Sequence, residues 1–179
     1  RFRVRGPPPV AKACRRPAVP AAAACAPVPA PPGQGGATPA VASDYVLTRD
    51  GEKLLLRVWT AARPRAVIVA LHGMSDYSNA FAMPGEYWAK KRITTLAYDQ
   101  RGFGQSSRRG LWAGGDALRR DLDDAVDAAR RRYRGMPVFA LGAIMGGAVV
   151  VSAHANGAST QADGVVLVAP AAWERVDSP

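Results

Sequence analysis

The sequence of 179 residues predicts an α/β fold, with a mostly parallel, doubly wound sheet that begins with an antiparallel hairpin. Short apolar runs alternate along the chain with segments of helical periodicity. Two of the runs, AVIVAL at 66–71 and GVVLVA at 164–169, lack polar alternation, which is typical of strands covered on both faces. An amphipathic helix is predicted between them, over 116–134.

The first forty residues have the composition of a leader rather than of a domain. They hold 10 of the 15 prolines, and such Pro/Ala-rich sequence buries too little apolar area to offset the entropy of ordering. We therefore expect a disordered leader over 1–42 and a folded domain over 43–179. The first forty residues carry six basic side chains and no acid, which leaves 18 basic and 14 acidic residues, a net +4, in the remainder. Nucleic-acid binding by the folded part is not expected.

Both cysteines, Cys14 and Cys25, fall in this leader. The sequence AAAC ending at Cys25 resembles the end of a bacterial lipoprotein signal, which implies membrane association through a lipidated Cys25 at the cell envelope. However, Pro17 and Pro20 interrupt the run of about 7–15 apolar residues that a secretory signal needs. An Ala/Pro leader with incidental cysteines on a cytoplasmic protein is the alternative. No apolar run approaches the roughly 18 residues of a membrane span.

The domain is predicted to start with a hairpin. Asp50-Gly51 lies between the apolar runs 45–48 and 53–59, and Asp-Gly in this setting is a strong hairpin signal. The strand 66–71 follows. Ser78 or Asn79 is expected to cap the next helix, which ends near residue 91.

The second half of the domain continues the alternation. Strands are predicted at 93–98 and 138–141, on either side of the helix 116–134, in which acidic residues cluster early and arginines late. The RRRYR run is therefore interpreted as a helix end rather than a nucleic-acid patch. A further helix reaches about 156–157, and the strand 164–169 follows it.

Three unusual loops follow predicted parallel strands. They are His72-Gly73-Met74, Asp99-Gln100-Arg101-Gly102 and the turn at 142–146. The carboxyl ends of parallel strands meet at one edge of the sheet, where α/β proteins place their chemistry. We therefore expect the three loops to form one site.

The turn at 142–146 has the outline of a nucleophile elbow, G-x-S-x-G, in which a strand turns sharply into a helix. Gly142 and Gly146 occupy the two glycine positions. The central position holds Ile144, whose side chain has no nucleophilic or ionisable atom. The sequence thus predicts the elbow without its nucleophile.

Together these segments resemble the α/β-hydrolase superfamily, and within it the lysophospholipase and monoglyceride-lipase-like group, including serine-aminopeptidase-type hydrolases. The resemblance extends over about 44–173 and rests on ALHGMSDYSNAF at 70–81, YDQRGFGQS at 98–106, LGAIMGGAV at 141–149 and LVAPA at 167–171. It implies a carboxylic-ester hydrolase that acts on lysophospholipids, monoacylglycerols or similar lipid-like or small esters. It implies no cofactor and no metal.

The resemblance also assigns roles. A serine at the elbow attacks the ester carbonyl, and two backbone N–H groups hold the oxyanion. Those donors correspond here to Met145 and Met74. The motif gives His72 and Gly73 a structural role in the oxyanion loop. Asp99 and Arg101 are expected to brace their loop through local hydrogen bonds.

Three departures from the family bear on activity. The nucleophile position is Ile144, and the printed chain stops at Pro179, before the loops that carry the acid, the histidine and the cap in the resembled fold. His154 is interpreted as a helix-face residue. We therefore expect a C-terminally truncated and inactive hydrolase, in which the interior strand 164–169 becomes an edge strand. A non-catalytic binding module (a pseudoenzyme) and a defective gene product are the alternatives.

Overall fold

A computed structural model describes residues 33, 35–155 and 161–171. Both cysteines and most of the predicted leader lie outside the described residues. Within 1–42, the strand Ala40–Val41 pairs with Tyr45–Leu47, and Gly36 N–H donates to the Arg49 carbonyl at 3.0 Å. Regular structure therefore begins before the predicted boundary at residue 43.

The strands and helices follow the predicted alternation. The strands are β1 (Ala40–Val41), β2 (Tyr45–Leu47), β3 (Lys53–Trp59), β4 (Ala66–Leu71), β5 (Ile93–Tyr98), β6 (Val138–Ala143) and β7 (Gly164–Val168). The helices are α1 (Ala82–Lys90), α2 (Gly115–Arg132) and α3 (Met145–Ala155), and a 3₁₀ turn at Ser78–Phe81 precedes α1. The predicted end of α3 at 156–157 lies outside the described residues.

The seven strands form one sheet in the order β1-β2-β3-β5-β4-β6-β7. The pairs β1–β2, β2–β3 and β3–β5 are antiparallel, whereas β5–β4, β4–β6 and β6–β7 are parallel. In register, Leu71 lies beside both Tyr98 and Gly142, so β4, β5 and β6 end at the same edge. The antiparallel hairpin and the parallel sheet are confirmed.

Helices cover both faces of the sheet. On one face, Val67, Val69 and Leu71 of β4 pack with apolar residues of α2 and α3. On the other face, Ile68 and Ala70 pack with residues at and around α1. Because successive strand residues point to opposite faces, a strand between two helical layers has no polar alternation. The doubly wound α/β class follows from this layering.

Two sequence expectations were wrong in detail. The apolar run at 164–169 was predicted to be buried, yet in β7 the residues Val165 to Val168 are each 41–50% exposed. Within the described part of the chain, β7 pairs only with β6, which agrees with the expectation of an edge strand. Ser78 and Asn79 do not cap a helix, because no side-chain cap bond is made at either the 3₁₀ turn or α1.

Among the residues described, no helix is long and apolar enough to cross a membrane.

Candidate active site at the carboxyl edge of the sheet

The turn between β6 and α3 is a sharp elbow whose apex is Ile144. Ile144 has φ of 50°, in the left-handed region that a β-branched side chain rarely adopts. Besides the helical bond from Ala148 N–H to its carbonyl, two hydrogen bonds hold it there: its N–H donates to the Val168 carbonyl at 3.0 Å, and its carbonyl accepts from Ala171 N–H at 2.9 Å. The end of β7 therefore supports the strained apex.

The glycines around the apex permit the close approach of helix and strand. A Cβ at Gly142 would lie 2.4 Å from the Gly146 carbonyl oxygen, and a Cβ at Gly146 would lie 2.4 Å from the Leu71 carbonyl oxygen. At Gly147 it would meet Pro170 at 2.8 Å. These contacts are too short for any side chain, so the sequence signal at 142 and 146 reflects a steric requirement.

The loop after β4 lies directly against the apex. A Cβ at Gly73 would be 3.3 Å from Cδ1 of Ile144, and Gly146 N–H donates to the His72 carbonyl at 3.1 Å. Ile144 is 53% exposed and Met74 is 61% exposed. The structure thus brings 72–74 and 142–146 together, with the side chain of position 144 pointing out of the fold.

Two backbone donors border the apex. Met145 opens α3, where the first N–H groups have no intrahelical acceptor. Within the residues that the structure describes, neither Met74 N–H nor Met145 N–H has a hydrogen-bond acceptor. Since only backbone atoms are involved, the methionine side chains do not prevent these groups from binding an anion or a polarised oxygen.

His72 is a buried structural residue. Its Nδ1 donates to the Gly73 carbonyl at 2.7 Å, so its Nε2 is the unprotonated nitrogen and accepts from Gln100 N–H at 3.0 Å. The Gln100 amide returns a bond to the His72 carbonyl at 2.7 Å. Burial lowers the pKa of His72, so the ring is held neutral. Both ring nitrogens are engaged, which leaves none to take a proton from position 144.

The other histidine of the printed sequence, His154, lies near the end of α3. Its Nδ1 is 2.8 Å from the Val150 carbonyl, one turn earlier in the same helix. It therefore lies on the helix, as expected, and away from the turn in which the helix begins.

Asp99 supports the loop after β5. Its carboxylate accepts from Ser78 N–H and from Gln105 N–H, both at 2.8 Å, and it is fully buried. A Cβ at Gly104 would lie 2.1 Å from the Asp99 carboxylate, so glycine is required there. The bond from Gln105 is the local bracing that the sequence predicts, whereas Ser78 belongs to the loop after β4, 21 residues away.

The expectation that Arg101 makes local bonds was wrong. Its guanidinium donates two bonds to Asp50 in the hairpin, at 2.8 and 2.9 Å, and two to Asp121 in α2, at 2.7 and 3.0 Å. The bidentate contact with the Arg101 guanidinium holds the pKa of Asp50 well below its usual range. Arg101 therefore joins three segments beneath the site. No local signal marks Asp50 and Asp121 as partners, because their proximity depends on the tertiary fold.

A cleft of 260 Å³ separates the loops that follow β4 and β5. It is lined by residues of 75–77, 102–104 and 109–110. Ser75, with φ of 60°, is a second non-glycine residue in the left-handed region at this edge. Neither the cleft nor the backbone conformation of Ser75 was predicted from the sequence. The described residues contain no group of His, Cys, Asp and Glu that could hold a metal ion.

Comparison with known proteins places these features in a family. The family described as "Serine aminopeptidase, S33" matches residues 62–179. Human monoglyceride lipase is 30% identical over 128 residues, and phospholipase YtpA of Bacillus subtilis is 32% identical over 113 residues. These matches cover 70% and 63% of this chain, but only 42% and 43% of the two relatives. The chain therefore spans less than half the length of either relative.

The solved structures agree on the fold. The α/β hydrolase GrgF from Penicillium sp. sh18 superposes with a TM-score of 0.62 at 23% identity, over 69% of this chain and 43% of that one. At this identity the likeness bears on the fold alone.

Proposed function

Because the chain belongs to the serine aminopeptidase S33 family, we propose that it derives from a carboxylic-ester hydrolase of the lysophospholipase and monoglyceride-lipase type, and that its residues as given hydrolyse no ester. One observation carries the proposal. The elbow keeps its geometry, yet the exposed side chain at its apex is that of Ile144, which cannot attack a carbonyl.

The rest of the site supports an ester-hydrolase ancestry. We assign the oxyanion donors to Met74 N–H and Met145 N–H, which border the apex from two loops. Gly142 and Gly146 shape the elbow, and His72 and Gly73 shape the loop that carries the first donor. A substrate oxygen held between these donors would lie beside the side chain at position 144.

Proton transfer is the second missing function. A serine nucleophile needs a base within hydrogen-bond reach. Of the two histidines in the printed sequence, His72 uses both nitrogens in the loop and His154 lies ten residues into α3 from the apex. Neither is placed to activate a nucleophile, which supports the proposal that the residues as given hydrolyse no ester independently of position 144.

The proposed substrate class is a lipid-like or small carboxylic ester. It is taken from the relatives, whose names are monoglyceride lipase and phospholipase. We also propose that the family domain runs from about residue 43, since β2 and β3 belong to the same sheet as the segment 62–179 that the family matches.

The experiment measures turnover and labelling on the full chain. Hydrolysis of p-nitrophenyl butyrate and labelling by a fluorophosphonate probe are compared for the wild type, Ile144→Ser and Ile144→Ala. We expect hydrolysis at the buffer rate and no saturable labelling for wild type and Ile144→Ala. Ile144→Ser should show at most slow labelling, because it gains a hydroxyl but no base. Saturable labelling of one serine in the wild type, with turnover above the buffer rate, would refute the proposal.

A non-catalytic binding module is the second candidate. The observation that favours it is the strained apex at Ile144, held by hydrogen bonds to Val168 and Ala171 although no nucleophile is presented there. The test is equilibrium binding of a non-hydrolysable ether analogue of a monoacylglycerol. Saturable binding by the wild type favours the binding module if Met74→Pro weakens it, because that change removes the N–H donor. Met74→Leu, which keeps the N–H, is the matched control. No binding by the wild type excludes it.

A further inference from the structure

The opposite edge of the sheet, where the parallel strands begin, carries a dense group of basic side chains. They come from three segments, one before each of β4, β5 and β6. We call the following set the basic edge: Arg63, Arg65, Lys90, Lys91, Arg92, Arg131, Arg132 and Arg134. All eight are exposed.

The backbone brings these segments together. Arg65 N–H donates to the Arg92 carbonyl at 2.8 Å, and Arg92 Nε donates to the Arg63 carbonyl at 2.9 Å. Val67 N–H donates to the Pro137 carbonyl at 2.9 Å, so the start of β4 also adjoins the segment after α2. The short connections fix the charges on one side of the molecule. They are a property of the fold, not of one flexible run.

Few acids neutralise this surface. Asp163 lies one residue before β7 and pairs with Arg130 at 2.7 Å, so its charge is already matched by a residue outside the basic edge. Glu86 and Asp127 lie four residues before Lys90 and Arg131 in α1 and α2, so they offset two of the eight charges. The remaining like charges on this edge repel one another, and an external anion relieves that repulsion.

Aromatic side chains accompany the cations. Lys91 Nζ lies 5.6 Å from the ring centroid of Tyr87, which is 58% exposed, and the Arg132 guanidinium lies 5.9 Å from the ring of Tyr133. Basic residues accompanied by an exposed tyrosine suit the headgroup region of a bilayer, which is charged outside and apolar beneath.

We propose that the basic edge docks the protein on an anionic lipid surface. The charge of the leader favours a membrane over a compact acidic peptide: its six basic residues lie in a separate segment of the sequence, and an extended anionic surface can bind both groups whatever their relative geometry. The edge lies one strand length, about 20 Å, from the candidate active site. Docking would leave that site facing the aqueous phase. The inference is independent of ester hydrolysis.

The test is co-sedimentation of the full chain with vesicles of phosphatidylcholine, with and without one third phosphatidylglycerol, at low and high salt. The edge variant carries Arg65→Gln, Lys90→Gln and Arg134→Gln, one change from each segment. The matched control carries Lys53→Gln, Arg109→Gln and Arg120→Gln, which are exposed elsewhere and lower the net charge equally. A third variant replaces the six basic residues of the leader with Gln.

Each basic residue near an anionic surface contributes about fivefold to partitioning, so we expect the edge variant to bind about 100-fold more weakly. The control variant should lose less than about fivefold, and binding of the wild type should fall with salt. Equal losses in the edge and control variants, or a loss confined to the leader variant, would overturn the proposal. Edge-dependent binding to DNA without binding to the vesicles would overturn the lipid assignment.

Discussion

Strands β4 and β7 have nearly the same composition and the same direction in one sheet, yet their environments differ. Residues 66–71 of β4 are at most 8% exposed, whereas Val165 to Val168 of β7 are 41–50% exposed. β4 pairs with β5 and β6 and lies between α1 on one face and α2 and α3 on the other. Among the described residues, β7 has one paired edge and no such double cover. Burial is therefore a property of a strand's neighbours.

A buried charge should give the largest difference in stability between variants of β4 and variants of β7. Val67 is fully buried and Val166 is 42% exposed. Val67→Asp should prevent folding, since an unpaired buried carboxylate costs more than about 4 kcal/mol. Val166→Asp should cost less than about 1 kcal/mol and reduce self-association of the exposed edge. Urea denaturation followed by circular dichroism, together with sedimentation velocity, measures both effects. An equal loss in the two variants would mean that β7 is covered in solution.

Alanine substitutions of the glycines beside the two strands should give the next largest difference in stability. Gly146→Ala would place a methyl group 2.4 Å from the Leu71 carbonyl oxygen at the end of β4, and should cost about 3 kcal/mol. Gly164→Ala, at the start of β7, would meet only the Phe139 ring at 3.1 Å, which can yield, so the free energy of unfolding should change by less than about 1 kcal/mol. Denaturation midpoints at constant m-value give the comparison. A tolerated Gly146→Ala would show that the elbow can move away from β4.

The apex that joins the ends of both strands should show a smaller effect of the opposite sign. Ile144 touches the loop after β4 and is hydrogen-bonded to the end of β7. Ile144→Asn should stabilise the fold by about 1 kcal/mol, because asparagine tolerates the left-handed region better than a β-branched residue. Ile144→Val keeps the branch and should give no gain. Thermal and urea melts check the pair, and equal stability of the two variants would show that φ of 50° costs nothing.

The smallest expected difference between the two strands is in how the free energy of unfolding depends on pH. His72, at the end of β4, is buried and has a lowered pKa, whereas β7 contains no titratable group. The unfolded chain therefore binds the proton more tightly than the folded one. The contribution of neutral His72 to the free energy of unfolding is therefore fully present above the unfolded pKa of about 6.5. It is lost as pH falls below that value, by at most about 1.4 kcal/mol per pH unit. His72→Gln should lower stability at pH 8 and flatten this slope. An unchanged slope in urea melts between pH 5 and 8 would exclude His72 as its source.

Local sequence signals sufficed for most of the fold. The run at 66–71 and the helix around 116–134 were predicted because their apolar patterns directly reflect the layers that cover them. The elbow was predicted because glycine at 142 and 146 answers a steric requirement that acts over a few residues. Such requirements remain visible in the sequence whichever residue occupies position 144.

The remaining features depend on contacts between distant segments. The exposure of β7 cannot be read from GVVLV, since it depends on what lies beside the strand. The partners of Arg101 were missed because Asp50 and Asp121 are 51 and 20 residues away. The left-handed Ser75 was missed because no neighbouring residue type marks it.

The Arg101 cluster has a consequence for the order of folding. Its bonds to Asp50 close a loop of 51 residues and require the hairpin, the end of β5 and α2 to be in place already. Contacts of this kind are expected to form after the rate-limiting step, so their removal accelerates unfolding and leaves refolding nearly unchanged. In stopped-flow kinetics, Asp50→Asn should therefore raise the unfolding limb of the chevron alone. Slower refolding instead would place this ion pair in the folding nucleus.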